Sequence, residues 1–473
     1  MGRMPTTWWS RATDLGDLWQ IISAPGPWVS ALVGLPLLAL ALLLGRLWRR
    51  DSAVRGARVI TQDPLRRFWG YFRASSGGLL TLAGRPLTHL DETKHFKLIG
   101  TTGTGKSTAI RELLSAALVR NDRAVIADPD GGYCARFFDP WRGDRILNPF
   151  QSQSARWEPL TELMDMADPE HLASALIASS ADASANEWRG YARAFVSAVL
   201  ERCRDIPGCA SGELWRLIAV AGTEELRPLL AGTPAQPFLD PENARMFGSL
   251  RAIAVSAMRP LDFVQWQKGR PFSVRHWVRA GRGVLFIPYS ARQIAALRTL
   301  IATWMGLAIY EALSQKEDVD QRLWLVVDEL DALGAIAGLK DALTRLRKFG
   351  GRCVLGFQSV SQVSATYGAD AHTIIENCGN TLILRCSGSE NGGTSQYAAR
   401  LIGDREVIRR QRSRGRDNPG GLFSAGARRS VQFSEQRLVE PAVLAAQVEQ
   451  LADLAGYLKI ASSPTWQSVR IGR

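Results

Sequence analysis

His95-Phe-Lys-Leu-Ile99 runs straight into Gly100-Thr-Thr-Gly-Thr-Gly105-Lys106-Ser107, and Thr108 to Val119 follows with helical spacing. A short apolar strand, a glycine-rich loop ending in Lys-Ser and a helix, in that order, satisfy the phosphate-loop pattern GxxxxGK[ST] in full. The glycines let backbone N–H groups turn inward around phosphate oxygens. The helix presents the positive end of its dipole to the same anion. The expected nucleotide contacts are Gly100, Thr101, Thr102, Gly103, Thr104, Gly105, Lys106, Ser107 and Thr108. Lys106 is placed to reach the β and γ phosphates of ATP, and Ser107 to set its hydroxyl on Mg²⁺.

Such a loop needs acids at the end of a neighbouring strand. Leu323-Trp-Leu-Val-Val327 is an apolar run ending in Asp328-Glu329. In a parallel sheet the carboxyl ends of strands line the ligand crevice. Asp328 there can hold Mg²⁺ through its water shell, and Glu329 can orient the attacking water. Alone, an apolar strand ending in acids is a weak signal; beside the phosphate loop it is a strong one. A third strand, Cys353-Val-Leu-Gly-Phe357, ends in Gln358, either a strand-capping amide or a sensor of the γ-phosphate. Before it lies the basic segment Leu339–Lys348, with Arg345, Arg347, Lys348 and Arg352 at its end. These charges either are solvated at a helix C-terminus or include an arginine finger for a neighbouring subunit's phosphate.

Composition bounds the rest. The chain has 473 residues, with 58 basic and 45 acidic side chains for a net charge of +13. That size allows roughly three domains. A hydrophobic content of 46% excludes wholesale disorder. The basic excess suits a polyanion such as nucleic acid or anionic lipid without naming one. Six cysteines and five histidines show no CxxC, HExxH or other ligand spacing. Reduced buried thiols are the expectation, and oxidoreductase, protease and metal-hydrolase readings find no supporting residues.

Trp28 to Gly45 (WVSALVGLPLLALALLLG) carries no ionisable group. About twenty residues through Leu47 span ~30 Å, the hydrocarbon core of a bilayer. Trp28 and Trp48 stand where interfacial aromatics belong. The apolar run begins too late, is too long, and leads into arginines rather than a cleavage site, which argues against a signal peptide. Arg46, Arg49, Arg50, Arg55 and Arg58 follow it, against Asp51 alone. The positive-inside rule places the bulk of the chain in the cytoplasm, where ATP is.

Five ordered blocks carry a resemblance. They are DETKHFKLIGTTGTGKSTAI (91–110), VIADPDGGYCARFFDPWRGDRILNPF (125–150), WLVVDELDAL (324–333), RLRKFGGRCVLGFQSVSQ (345–362) and SGSENGGTSQYAARLIG (387–403). Together they resemble the type IV coupling proteins, the TraG, TraD and TrwB group. The resemblance implies an inner-membrane ATPase that recruits relaxase-bound, mainly single-stranded DNA to a type IV secretion channel during conjugation. It implies a RecA-like P-loop motor working as a hexamer, with ATP and Mg²⁺, an all-α domain and a membrane anchor. Carried over by position, Lys106, Ser107, Asp328 and Glu329 are the phosphate, Mg²⁺ and water-orienting groups. Gln358 matches the family's γ-phosphate sensor and Arg347 its arginine finger. Asp128 and Asp130 match a signature whose role stays open. The family usually has two transmembrane helices and this chain shows one. Either the first is absent or the true start lies upstream.

The expected organisation is α/β. Residues 1–58 form a tail, a transmembrane helix at about 26–48 and a basic stop. Residues 59–155 and 280–473 form the nucleotide-binding domain, and 156–279 an all-α insertion with no convincing strand from Trp157 to Trp277. Helices are predicted over Glu187–Arg204, Glu213–Ala221, Asn243–Met258 and Ala291–Leu313. A hairpin is predicted at Leu79–Leu87 and returning strands at Leu458–Ile460 and Gln467–Ile471. The arginine-rich segment 409–437 is either a mobile solvated loop or a phosphate-tracking channel lining. Two other readings of function stand beside the DNA pump. One is a membrane-anchored docking platform for protein substrates; the other is a duplex-DNA translocase of the FtsK/HerA type.

Overall fold

The protein is described by a computed structural model covering residues 52–61, 80–180, 182–389, 392–417 and 428–472. The predicted membrane segment lies outside the described residues. The described chain divides into two units, one of residues 57–403 with 441–473, the other of residues up to 56 with 404–440.

The larger unit is built on a ten-stranded sheet. In chain order its strands are β1 Val59–Thr61, β2 Phe96–Ile99, β3 Arg123–Pro129, β4 Arg145–Ile146 and β5 Val284–Tyr289. They continue with β6 Leu323–Val327, β7 Gly351–Phe357, β8 Asn380–Ile383, β9 Ala455–Lys459 and β10 Trp466–Arg470. The spatial order is β1-β10-β9-β8-β2-β7-β6-β3-β5-β4. From β8 to β4 all neighbours are parallel, and β9 is the antiparallel strand beside β8. The P-loop strand β2 is thus separated from the acidic strand β6 by β7, whose end carries Gln358.

These central strands are mostly apolar because both faces are covered, with Lys97 and Arg352 buried among them. Alternate residues point to opposite sides. Val125, Ala127, Leu285, Ile287, Leu325 and Val327 join one core layer. Ala124, Ile126, Val284, Phe286, Trp324 and Val326 join the other. Helix α1, Lys106–Val119, covers the second layer with Ala109, Ile110, Leu113, Leu114 and Ala117, one face at helical spacing. The first layer is covered by α2, Ile294–Leu313. That helix is long and apolar enough to cross a membrane, yet its most apolar window is 67% buried within the fold, so here it is a core helix.

Between β4 and β5 the chain is mainly helical. The central helix is Ala183–Asp205, flanked by Asp168–Leu176, Ser211–Ala219, Thr223–Leu229 and Ala244–Met258. The Asp182 carboxylate accepts from the Ala185 N–H and caps the long helix. One expectation is corrected: Pro271–Phe272 is a short strand, pairing in parallel with Arg156–Trp157. Two residues are too few to show a period in sequence. The ladder closes the segment at its base, where the buried Glu162 accepts from the Val274 and Arg275 N–H groups, the Ser273 hydroxyl and the Trp157 indole.

The smaller unit is a three-stranded sheet of Ser52–Gly56, Asp404–Asp417 and Arg428–Pro441. Most of the segment read as a loop is therefore long strand. Its run of arginines reads in sequence as a charged segment without a strand period. Arg405 and Glu440, 2.8 Å apart, join its two long strands.

Candidate nucleotide site

At the carboxyl end of β2 the loop turns through Gly103 and Gly105, at φ of 78° and 117°. Both lie in the region that glycine alone enters cheaply. A Cβ on Gly105 would also meet Leu454 at 2.8 Å. Thr104 closes the loop by donating its hydroxyl to the Thr101 carbonyl at 2.7 Å. Thr101 and Gly100 donate their N–H groups to Arg385 and Phe357, which ties the loop to both flanking strand ends. Thr108 lies in the first turn of α1.

Lys106 folds back over this ring, donating to the carbonyls of Gly100 at 2.7 Å and Thr101 at 3.2 Å. Its ammonium is buried, and desolvation lowers its pKa against the pull of Asp328 and Glu329. The Ser107 hydroxyl donates to Asp328 Oδ2 at 2.6 Å. Gly356, on the intervening strand, lets the Asp328 backbone pack close against β7, since a Cβ there would lie 2.2 Å from the Asp328 carbonyl. Gln358 accepts from the Thr102 hydroxyl at 3.1 Å. Glu329 is half-buried, and burial together with Asp328 raises its carboxyl pKa.

Thus Lys106, Ser107, Asp328, Glu329 and Gln358 come together around one loop. Arg347 does not join them. It is exposed in the turn Leu346–Phe349, ahead of β7, while Gln358 follows that strand. Seven extended residues span about 20 Å. The other basic residues near it separate clearly. Arg345 and Lys348 are exposed, whereas Arg352 is fully buried and donates to Glu92 at 3.2 Å. Arg352 is therefore a structural cation, contrary to its reading as one of a solvated cluster.

The block 125–150 has a place in the site that its sequence did not disclose. Asp128 is the penultimate residue of β3, and its carboxylate accepts the N–H groups of Tyr133 and Cys134, the latter at 2.7 Å. Burial, reinforced by nearby Asp328, pushes the Asp128 carboxyl up to about 6. Asp130 and Gly131, at φ of 56° and 69°, turn the chain so that Tyr133 points back into the site. The buried Tyr133 hydroxyl donates to Asp328 Oδ2 at 2.8 Å. Arg111 stands 5.6 Å from its ring. Tyr133 lies inside the quoted block, but a tyrosine after two glycines carries no signature of its own.

The residues fit the groups the motif implies. Backbone N–H groups and Lys106 suit a nucleoside triphosphate, and a hydroxyl beside a carboxylate suits a hydrated Mg²⁺. Asp328 Oδ1 is buried with no hydrogen-bond partner, a free acceptor at the place a metal's water shell needs one.

A P-loop on a mainly parallel sheet, with the acid strand one strand removed, defines a RecA-like nucleotide-binding domain. The chain belongs to the family of the type IV secretion-system coupling protein DNA-binding domain, whose model matches residues 79–471. It is 29% identical over 376 residues to the coupling protein TraD of Escherichia coli (strain K12). That match covers 78% of this chain and 52% of TraD, so the chain spans about half the length of the curated relative it matches. Among solved structures it is similar to the unbound bacterial conjugative coupling protein TrwB lacking its first 70 residues. The identity is 28% and the TM-score 0.76, covering 89% of this chain and 93% of that one. The plasmid coupling protein TrwB in complex with ADP and Mg²⁺ matches with the same identity and TM-score, covering 94% of its own chain. A third TrwB structure holds the non-hydrolysable ATP analogue ADPNP.

Proposed function

We propose that the protein is a DNA-binding coupling ATPase of conjugation, using ATP and Mg²⁺ to deliver relaxase-bound single-stranded DNA to a type IV secretion channel. The observation that carries the reading is the meeting of Ser107 and Asp328 at 2.6 Å, which assembles the two halves of an ATP–Mg²⁺ site in this chain. Support comes from the family and from TrwB structures that hold ADP with Mg²⁺ or ADPNP.

In this reading the loop amides and Lys106 bind and orient the triphosphate. Ser107 and Asp328 would hold the Mg²⁺, which when bound supplies charge neutralisation for the triphosphate. Glu329, with its raised pKa, is suited to take a proton from the attacking water. Gln358, linked to the loop through Thr102, reports the γ-phosphate to β7. Arg347 lies too far to serve this site and is assigned to the site of the next subunit in a ring, which we take to be a hexamer. The apolar segment 28–45 anchors the chain in the bacterial inner membrane by a single pass, with the bulk cytoplasmic.

The test is ATP hydrolysis by the full chain in detergent, with and without single-stranded DNA, across protein concentration. A rate that rises with DNA and with concentration, and that is lost in Lys106→Ala, is expected. Equal rates with and without DNA in an assembled ring would overturn the pump. Glu329→Gln then separates pump from platform: continued DNA transfer without hydrolysis would favour a docking platform.

A further inference from the structure

A second cationic site lies away from the P-loop, at the far edge of the sheet. A pocket of about 400 Å³ opens beside edge strand β4, lined in part by Phe138, Arg145, Arg156, Lys268, Arg270 and Phe272. One wall comes from the 138–156 stretch and the other from the 268–272 stretch that enters the Pro271–Phe272 strand.

Its charge is unbalanced. Asp144 is the only acidic residue of the lining. Its carboxylate is already engaged by Arg142 and by the N–H groups of Asp139 and Val284. Arg156 is held by Glu158 at 3.1 Å. Arg145, Lys268 and Arg270 are exposed and make no ion pair among the described residues. Like charges gathered around one hollow repel one another unless an anion joins them.

Two exposed indoles adjoin the lining residues in sequence. Trp141, beside the lining residue Pro140, is 97% exposed, and Trp266, two residues before Lys268, is 77% exposed. Neither indole packs in a core layer. The segment bearing Trp266 is nevertheless fixed, since Gln267 donates to the Ser154 hydroxyl at 3.0 Å and the Ala155 carbonyl at 3.3 Å. Unpaired cations interleaved with exposed aromatics are what single-stranded nucleic acid requires: phosphates tracked by Lys and Arg, bases stacked on flat rings.

We infer that this pocket is a single-strand-binding site, with Arg145, Lys268 and Arg270 on the phosphates and Trp141 and Trp266 stacking bases. The inference rests on the DNA-coupling reading and gives it a location outside the nucleotide site. A duplex is disfavoured because its bases are already stacked and cannot use the indoles.

The experiment is fluorescence anisotropy of a labelled thirty-nucleotide oligo(dT) with the full chain in detergent, over a salt series, with particle mass measured in parallel. Trp141→Ala/Trp266→Ala is expected to weaken binding roughly tenfold or more. Arg145→Ala/Lys268→Ala/Arg270→Ala is expected to lower the salt slope by about 2. All five side chains are exposed, so thermal unfolding should be unchanged, as should ATP hydrolysis without DNA. Photocrosslinking of an iodouracil oligonucleotide should label peptides containing Trp141 or Trp266. Unchanged affinity and slope with unchanged particle mass would remove the site and leave the coupling reading standing. A changed particle mass with unchanged DNA affinity would make the patch a subunit contact instead. Failure of the wild-type chain to bind oligo(dT) would overturn the site and the coupling reading together.

Discussion

Tyr133 donates its hydroxyl to Asp328 Oδ2 at 2.8 Å, and that same oxygen accepts from Ser107 at 2.6 Å. Two donors on one oxygen fix the carboxylate plane and leave Oδ1 free. Tyr133 is thereby a positioning residue for the metal side of the site. Tyr133→Phe keeps the buried ring and removes only the hydroxyl. A hydrogen bond to a charged group contributes about 1.5–3 kcal/mol, so the Mg²⁺ concentration at half-maximal hydrolysis should rise by about tenfold or more. Thermal stabilisation by ADP with Mg²⁺ should fall in parallel, while stabilisation by ADP in EDTA should not. An unchanged Mg²⁺ dependence would reduce Tyr133 to a packing residue.

His95 gives the fold a pH dependence independent of nucleotide. It begins the turn into β2 at φ of 54°, and its Nδ1 accepts from the Cys353 N–H at 3.0 Å. Burial, then Arg352 and Arg347, lower its pKa from 6.5 to about 4. Unfolded, the ring takes up a proton below about 6.5; folded, it does so only near 4. Its contribution is therefore full above 6.5 and is lost as pH falls toward 4, a change of about 3 kcal/mol. His95→Asn retains an acceptor and tolerates positive φ. Urea unfolding at a series of pH values should show a flatter acid limb for this variant between 6.5 and 4. An identical limb would show that the imidazole does not titrate in the unfolding reaction.

Most of the residues gathered at the candidate site stand in stretches where sequence patterns are strongest. The motif Gly100–Ser107 is contiguous, and the apolar runs Leu323–Val327 and Cys353–Phe357 stop at polar residues. What escaped the sequence depends on pairing between distant segments. Tyr133 reaches Asp328 across 195 positions. The Arg156–Trp157 and Pro271–Phe272 strands are two residues each. The strand Asp404–Asp417 is rich in arginine and shows no apolar alternation in sequence. Arg352 looked solvated because its partner Glu92 lies 260 positions earlier.

The join between the helical segment and the sheet should be fragile to loss of one charge. Arg275 is buried between Asp168 at 2.5 Å and Glu311 at 3.0 Å, and it also donates to the Glu162 carbonyl. Arg279 shares Glu311, but nothing else cationic pairs with Asp168 among the described residues. Removing one member of a buried ion network costs about 3–5 kcal/mol because the partner charge stays behind. Arg275→Met keeps most of the aliphatic volume, so urea unfolding should report a loss of that size. A loss under 1 kcal/mol would mean that water reaches the abandoned carboxylates.

Arg347 provides the test of a shared site. It stands before β7 and Gln358 stands after it, so one strand links the far edge of the chain to its own nucleotide loop. An arginine there cannot neutralise phosphate charge in its own site across about 20 Å. In a head-to-tail ring it can face the neighbour's. Arg347→Ala should therefore bind nucleotide normally yet lose about 10³-fold or more in hydrolysis, as removal of an arginine finger does. Lys106→Ala should fail to bind nucleotide while still presenting Arg347. Mixed rings of these two inactive proteins will contain interfaces in which an intact loop meets an intact arginine. Hydrolysis should then reappear in the mixture and pass through a maximum near equal proportions. A mixture that stays inactive while forming rings of normal mass would place Arg347 outside the chemistry and leave the turn at Leu346–Phe349 as a structural cap on β7.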